Sequence, residues 1–177
     1  MYFDKKLLVL TVVPLVLTLI VSPPKITVLD DQASIRLEIV SDGIIGSIEG
    51  LKTEVEFDQE QLEASFIKAT LDVSTLSTGN MVRDIKLTSR KYLHKKKFPN
   101  ITFKSVSIRN VYTGYLITGE LTIKEITKEV VFDVGYSDGA VIGVGSVNLM
   151  DFDIELSNKR YENKLDIYID LPLARPE

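Results

Sequence analysis

The chain contains no cysteine. That excludes disulfides, thiolate metal sites and a lipidated cysteine anchor. It leaves the compartment open, because a protein without thiols tolerates any redox poise. Histidine is almost absent as well; His94 is the only one. It sits among Arg90, Lys91, Lys95, Lys96 and Lys97. No second metal ligand accompanies it. His94 therefore reads as a surface residue. A basic excess is lacking too. The formal net charge is -4, which argues against nucleic-acid binding, where phosphates must be neutralised. Gly46 and Gly50 make no phosphate loop, since the Lys-Ser/Thr element is missing. Nothing supplies a catalytic nucleophile or a metal cluster, so the chain reads as non-enzymatic and without a cofactor.

What is present begins with one apolar run. Leu7 to Val21 is interrupted only by Thr11, Pro14 and Thr18, and follows Lys5 and Lys6. Ser22-Pro23-Pro24 ends it, because proline stops a helix. As a helix the run reaches about 22 Å, short of the roughly 30 Å hydrocarbon core of a bilayer. Residues 1–22 therefore read as a secretory signal peptide or, since no A-x-A cleavage pattern follows, as a retained signal anchor. Either makes the protein exported, periplasmic or otherwise extracytoplasmic, with a tether to the inner membrane through residues 7–21 if the leader stays. Residues 23–33 read as a linker and residues 34–175 as a single domain.

That domain is dominated by alternation of apolar and polar residues. Ile35, Leu37 and Ile39 form one such face. Others are Val55 and Phe57; Ile67, Ala69, Leu71 and Val73; and Tyr115, Ile117, Gly119, Leu121 and Ile123. Val130, Phe132, Val134 and Tyr136 follow, then Val141 to Val147, then Leu165, Ile167, Ile169 and Leu171. Turn signals at Ser41-Asp42-Gly43, Tyr112-Thr113-Gly114 and Ser137-Asp138-Gly139 separate them. With a strand from Ile101, about eight strands are expected.

The exception is Asn80 to His94. Asn80 suits an N-cap, and Met81, Val82 and Ile85 fall at helical spacing before Phe98-Pro99 ends the arm. One or two short helices are expected in the 80–94 region. They are too small to cover a sheet, so the sheet must close on itself or pack on another. The fold class expected is all-β: an antiparallel up-and-down barrel, lipocalin-like. A barrel of that size either fills with side chains or holds one small ligand.

Several segments in order resemble the YceI-like family. Arg83-Asp84 followed by Leu87 and Ser89 matches its RD-x-x-L-x-S segment. Lys97-Phe98-Pro99-Asn100-Ile101-Thr102-Phe103 matches an aromatic-Pro-x-Ile-Thr-Phe segment. Thr118-Gly119-Glu120-Leu121-Thr122-Ile123 and Thr127-Lys128-Glu129-Val130 match the T-G-x-L-T and T-K-x-V segments. The chain departs at Lys86, where the family usually has His, and at Glu125-Ile126, where it usually has Gly-Val. The resemblance implies a lipocalin-like barrel that binds a polyisoprenoid or related lipid, with an isoprenoid quinone as one such ligand.

Under that reading Phe103, Tyr115, Ile117, Leu121, Ile123, Phe132, Val134, Leu165, Ile167 and Ile169 line a dry interior. Arg83 and Asp84 either orient a headgroup at the mouth or anchor the short helix. Lys91, Lys95, Lys96 and Lys97 are candidates for docking on anionic membrane, with Tyr92 and Leu93 dipping into the interface. Gly143 and Gly145 mark a bend or a close approach within a strand. The expected partner is a long-chain lipid, carried or stored; nucleic acid is not expected, and a homodimer is left open. Two rivals remain. One is a structural or interaction module of the cell envelope with a filled core. The other is a hydrolase whose acidic residues Glu54, Glu56, Asp151 and Asp153 converge.

Overall fold

The alternating runs do become strands. The computed structural model describes residues 26–174, so the leader expectation over residues 1–22 lies outside them. Among these residues nine strands form one antiparallel sheet. They are β1 (Ser34–Ile39), β2 (Ile44–Ile48), β3 (Lys52–Glu56), β4 (Phe66–Asp72), β5 (Asn100–Val111), β6 (Gly114–Ile123), β7 (Ile126–Ser137), β8 (Ala140–Asn148) and β9 (Lys164–Pro172). From β3 to β9 the chain is an up-and-down meander. β1 then pairs with β9, and β2 lies outside β1, giving the order β2-β1-β9-β8-β7-β6-β5-β4-β3. The ninth strand is β2. Two adjacent isoleucines and Gly46 break its alternation, which is why period-2 patterning misses it.

The edge strands β2 and β3 do not pair, and tethers from neighbouring segments hold the seam between them. Ser47 and Ser77 exchange backbone hydrogen bonds of 2.8 and 2.9 Å. Asp30 accepts from the Thr53 backbone N–H at 2.9 Å and from its hydroxyl at 2.7 Å. Gly46 permits the first tether: a Cβ there would lie 2.9 Å from the Ser77 carbonyl oxygen. The linker expected over residues 23–33 is, from Ile26 on, tied to the barrel. Val28 bridges to Leu173, and Leu29 N–H donates to the Pro172 carbonyl at 2.8 Å.

Inside, the two ends of the barrel differ. At one end aromatic rings meet edge to face: Phe57 with Tyr115 at 5.2 Å and Phe103 with Phe132 at 5.5 Å. Two strand glycines leave room for the second pair. A Cβ on Gly119 would stand 2.4 Å from the Phe103 ring, and one on Gly145 would stand 2.6 Å from the Phe132 ring. Gly145 is thus a seat for a core side chain. A bulge at Val106 in β5 switches the inward face, so Ile101, Phe103 and Ser105 are followed by Ile108. Ser105 lies buried there and accepts from the Ile67 N–H at 2.8 Å.

The other end collects the long connections. Between β4 and β5 lies one helix, α1 (Met81–Leu87), capped by Asn80, whose side chain accepts from Arg83 N–H at 3.1 Å. Between β8 and β9 lies an irregular loop, residues 149–163. The β6–β7 hairpin closes here with Lys124 (φ 54) and Glu125 (φ 65), two left-handed residues with side chains. The β7–β8 hairpin, at the aromatic end, uses Asp138-Gly139, the pair such a turn favours.

Candidate functional site

The inward aliphatic residues at the loop end enclose a cavity of about 100 Å³. Leu37 and Ile39 of β1, Ile44 and Ile48 of β2, Ile101 of β5, Ile123 of β6 and Leu165 of β9 form its wall. Leu76, Thr78, Leu87, Tyr92 and Leu93 cover it from the connection that carries α1. Leu149, Ile154 and Leu156 close it from the β8–β9 loop. No polar surface faces the space. Many of these side chains, Leu37, Ile44, Leu76, Leu93 and Leu165 among them, are only half-buried. The cavity is therefore a cleft that opens beside the β2 seam.

The ten expected lining residues all point inward, but only Ile123 and Leu165 reach this cleft. Phe103, Tyr115, Ile117, Leu121, Phe132, Val134, Ile167 and Ile169 pack in the core beyond it. The expectation of a hollow interior is corrected to an interior packed along most of its length. Alternation reports which face a residue occupies, not its depth along the axis. The cleft residues from β2 and from the two long loops were missed, because irregular segments carry no periodic signal.

Of the two residues considered for a headgroup, Asp84 is engaged by the fold. Its carboxylate accepts from the Thr78 N–H at 2.8 Å and from the Thr78 hydroxyl at 2.6 Å, pinning the entry to α1. The half-buried Arg83 side chain has no hydrogen bond or ion pair among the described residues. Tyr92 and Leu93 turn into the cleft, with Tyr92 buried, so the expectation that they dip into a membrane is corrected. Lys91, Lys95, Lys96 and Lys97 are exposed on the same connection; Lys97 lies 3.8 Å from Glu125 and over the Phe98 ring. His94 stacks edge to face on Phe98.

The β8–β9 loop is organised by Asn163, a residue with no signal in the sequence. It is wholly buried. Its carbonyl oxygen accepts from Leu156 N–H at 2.7 Å and Ser157 N–H at 3.2 Å. Its amide donates to the carbonyls of Ser157 at 2.7 Å and Lys159 at 2.8 Å. Glu162 secures the outside of the loop through Lys159, at 2.8 Å, and the Ser157 hydroxyl. Those two donors lower its carboxyl to a pKa of about 2. Asp151 is likewise lowered by the Arg160 guanidinium, 2.9 Å away.

A second concavity of about 320 Å³ lies on the outer wall between β7 and β8, lined by residues such as Lys128, Glu129, Asp151, Arg160 and Lys164. Arg160 is neutralised by Asp151, and Lys164 pairs with Asp166 at 2.9 Å. It is a solvated charged groove and does not suit an apolar tail. The hydrolase arrangement is not assembled. Glu54 and Glu56 are exposed on edge strand β3, while Asp151 and Asp153 follow β8 at the far side of the sheet.

Comparison with known proteins agrees with this architecture. The family model described as the YceI-like domain matches residues 27–173. A UPF0312 protein of Yersinia enterocolitica is 28% identical over 169 residues, covering 86% of this chain and 88% of its own. Protein YceI of Escherichia coli is 26% identical over 136 residues, 71% of each chain. Among solved structures, BcnA of Burkholderia cenocepacia superposes with a TM-score of 0.73 at 19% identity, over 84% of this chain and 100% of that one. A polyisoprenoid binding domain from Saccharophagus degradans, described as implicated in plant cell wall breakdown, gives a TM-score of 0.60 at 8% identity. It covers 86% of this chain and 99% of that one.

Proposed function

Since the chain belongs to the YceI-like family, we propose that it binds the apolar tail of a long-chain isoprenoid or related amphiphile outside the cytoplasm. The observation that carries this reading is the cleft at the loop end, open beside a seam and without polar surface. Such a space gives a tail about 25 cal/mol for each Å² taken from water and offers nothing to a polar ligand. The solved Saccharophagus degradans relative, named for polyisoprenoid binding, supports the same class of ligand.

The cleft as it stands is small. An apolar cavity of about 150 Å³ accepts one benzene, and this one measures about 100 Å³. Loading a tail therefore requires the connection from Leu76 to Leu93 to move outward, with the tail entering between that connection and β2. Arg83, on α1 of that connection and without a hydrogen bond or ion pair among the described residues, would meet an anionic or carbonyl headgroup. Lys91, Lys95, Lys96 and Lys97 hold the mouth against anionic membrane during exchange. Transport and storage of the lipid both fit this cycle.

Native mass spectrometry of the protein purified gently from its own host, followed by extraction of the bound species, tests the reading. An adduct with an acyl or prenyl tail is expected. The packed aromatic end favours the second reading, a cell-envelope module with a filled core. A bare mass, with no uptake of added lipid, would establish that alternative and end the carrier proposal.

A further inference from the structure

The outer side of the connection that roofs the cleft carries three exposed apolar side chains. Met81 is 72% exposed, Val82 79% and Ile85 64%. All three lie on α1 and none joins the hydrophobic core. The inner side of the same connection supplies Leu76, Leu87, Tyr92 and Leu93 to the cleft. This roof thus presents apolar side chains on both sides. Its surroundings are cationic. From Asn80 to Phe98 there are seven cations (Arg83, Lys86, Arg90, Lys91, Lys95, Lys96 and Lys97) against one carboxylate, Asp84. That carboxylate is engaged by Thr78. From neighbouring elements, Glu125 reaches Lys97 at 3.8 Å, and Asp72 lies near enough to Lys95 to feel its charge. The remaining positive charge belongs to a chain whose net charge is -4, so it is concentrated on the connection that carries the three exposed apolar side chains.

We infer that α1 is a membrane-inserting lid: Met81, Val82 and Ile85 enter the acyl region of an anionic bilayer while the surrounding lysines and arginines bind its headgroups. Exposed apolar side chains on a cationic connection match the two layers of such a surface. Insertion sets the seam between β2 and the 76–78 segment against the bilayer. A tail then passes from acyl chains to the cleft without crossing water. This deepens the carrier reading and rests on it for the transfer step, though not for the membrane contact. The chain enters the barrel at the opposite end, where Val28 and Leu29 lie beside Leu173 and Pro172. The lid end is therefore clear of the leader's attachment.

The absence of cysteine makes the test direct. Val82→Cys in the full chain takes a single environment-sensitive dye. Tyr112→Cys, in the exposed β5–β6 turn at the far end, takes the same dye as a control. The readout is the dye, because the apolar leader can bring the chain to any vesicle. The probes are phosphatidylcholine vesicles, with and without phosphatidylglycerol, carrying acyl-brominated lipid. Quenching at position 82 that needs phosphatidylglycerol, fades in high salt and exceeds that at position 112 is expected. A dye at 82 that stays in water, is quenched equally by neutral vesicles, or is quenched less than the dye at 112 overturns the inference. Combined Met81→Ser, Val82→Ser and Ile85→Ser should slow lipid uptake from anionic vesicles at least about tenfold. Uptake from detergent micelles should be unchanged. Equal loss from both sources overturns the docking role. Should the native chain take up lipid from neither, the carrier reading fails, and the dye alone decides the membrane contact.

Discussion

Replacing Asn163 with alanine removes the centre of the β8–β9 loop. Four hydrogen bonds are lost. The Lys159 carbonyl keeps a partner, since it also accepts from the Glu162 N–H at 3.0 Å. The N–H groups of Leu156 and Ser157 and the Ser157 carbonyl are left without their Asn163 partner. A buried group stranded in this way costs about 1–3 kcal/mol. The loop's outer face lets water reach part of the gap, so each of the three groups falls in the lower third of that range, and the total is about 3–5 kcal/mol. Set against a net stability of about 5–15 kcal/mol, this is a large fraction. For a chain of this size it corresponds to a fall in Tm of roughly 6–20 °C. The chain has no tryptophan, so urea and thermal unfolding followed by far-UV circular dichroism are the suitable assays. Ile154 and Leu156 close the cleft from this loop, so lipid retention should fall as well.

Asn163→Asp separates hydrogen bonding from volume. It keeps the oxygen that accepts from Leu156 and Ser157. It places a second oxygen against the carbonyls of Ser157 and Lys159, where the amide donated at 2.7 and 2.8 Å. Burial and that repulsion raise the carboxyl's folded pKa above its unfolded value of about 4. With a raised folded pKa, stability is fully present below the unfolded value and lost as pH rises through the folded one. The variant should approach native stability only in acid. A loss under about 1 kcal/mol for Asn163→Ala, or a pH-independent Asn163→Asp, would refute the assignment of this loop to Asn163.

Three further outcomes follow from the geometry. Glu162 has a folded pKa lowered to about 2 from 4.5, so its contribution is complete above 4.5 and is lost as pH falls toward 2; Glu162→Gln should abolish that part of the acid dependence of unfolding. Glu125→Gly should stabilise by about 1 kcal/mol, because glycine adopts the φ of 65° without a clash; an unchanged urea midpoint would contradict this. Phe132→Ala should cost about 3–5 kcal/mol, and if the barrel survives, the space vacated over Gly145 should extend the cleft, so that native mass spectrometry finds longer tails; retention of the same tails would show that the aromatic pair does not limit depth.

How much of this was legible in the sequence differs from element to element. Strands with unbroken alternation were readable because one side of each faces a dry interior and the other faces water. β2 was not, since Gly46 is there for the approach of Ser77 and supplies no pattern. The N-cap at Asn80 was readable from local chemistry, yet the facing of α1 was not. Met81, Val82 and Ile85 share a helical face, and such a face normally packs inward; here it points to solvent. Asn163 and the Asp84–Thr78 contact depend on residues brought together by loops, and no spacing rule announces them. The departure from the family at Glu125 acquires a cause in the structure. The family's usual glycine suits the left-handed backbone of this hairpin, and the present chain adopts it with a side chain attached.

The division of the interior also bears on which reading of the barrel is sustainable. Phe103 and Phe132 could not meet where they do if Gly119 and Gly145 carried side chains, so the packing of that end is written into four positions together. No comparable plug occupies the loop end. There the wall is aliphatic, the roof is a short helix pinned through Asp84, and the adjoining seam is held by the Ser47–Ser77 backbone pair and by the Thr75 hydroxyl, which accepts from the Glu49 N–H and donates to its carbonyl. A core meant only to be filled has no need of a roof with hydrophobic side chains on both faces. Those exposed side chains cost solubility without adding to the core, which makes sense if the roof works against an apolar phase. On the carrier reading, the packed end keeps the barrel folded while the loop end, held by hydrogen bonds and not by a strand pair, opens locally to admit a tail.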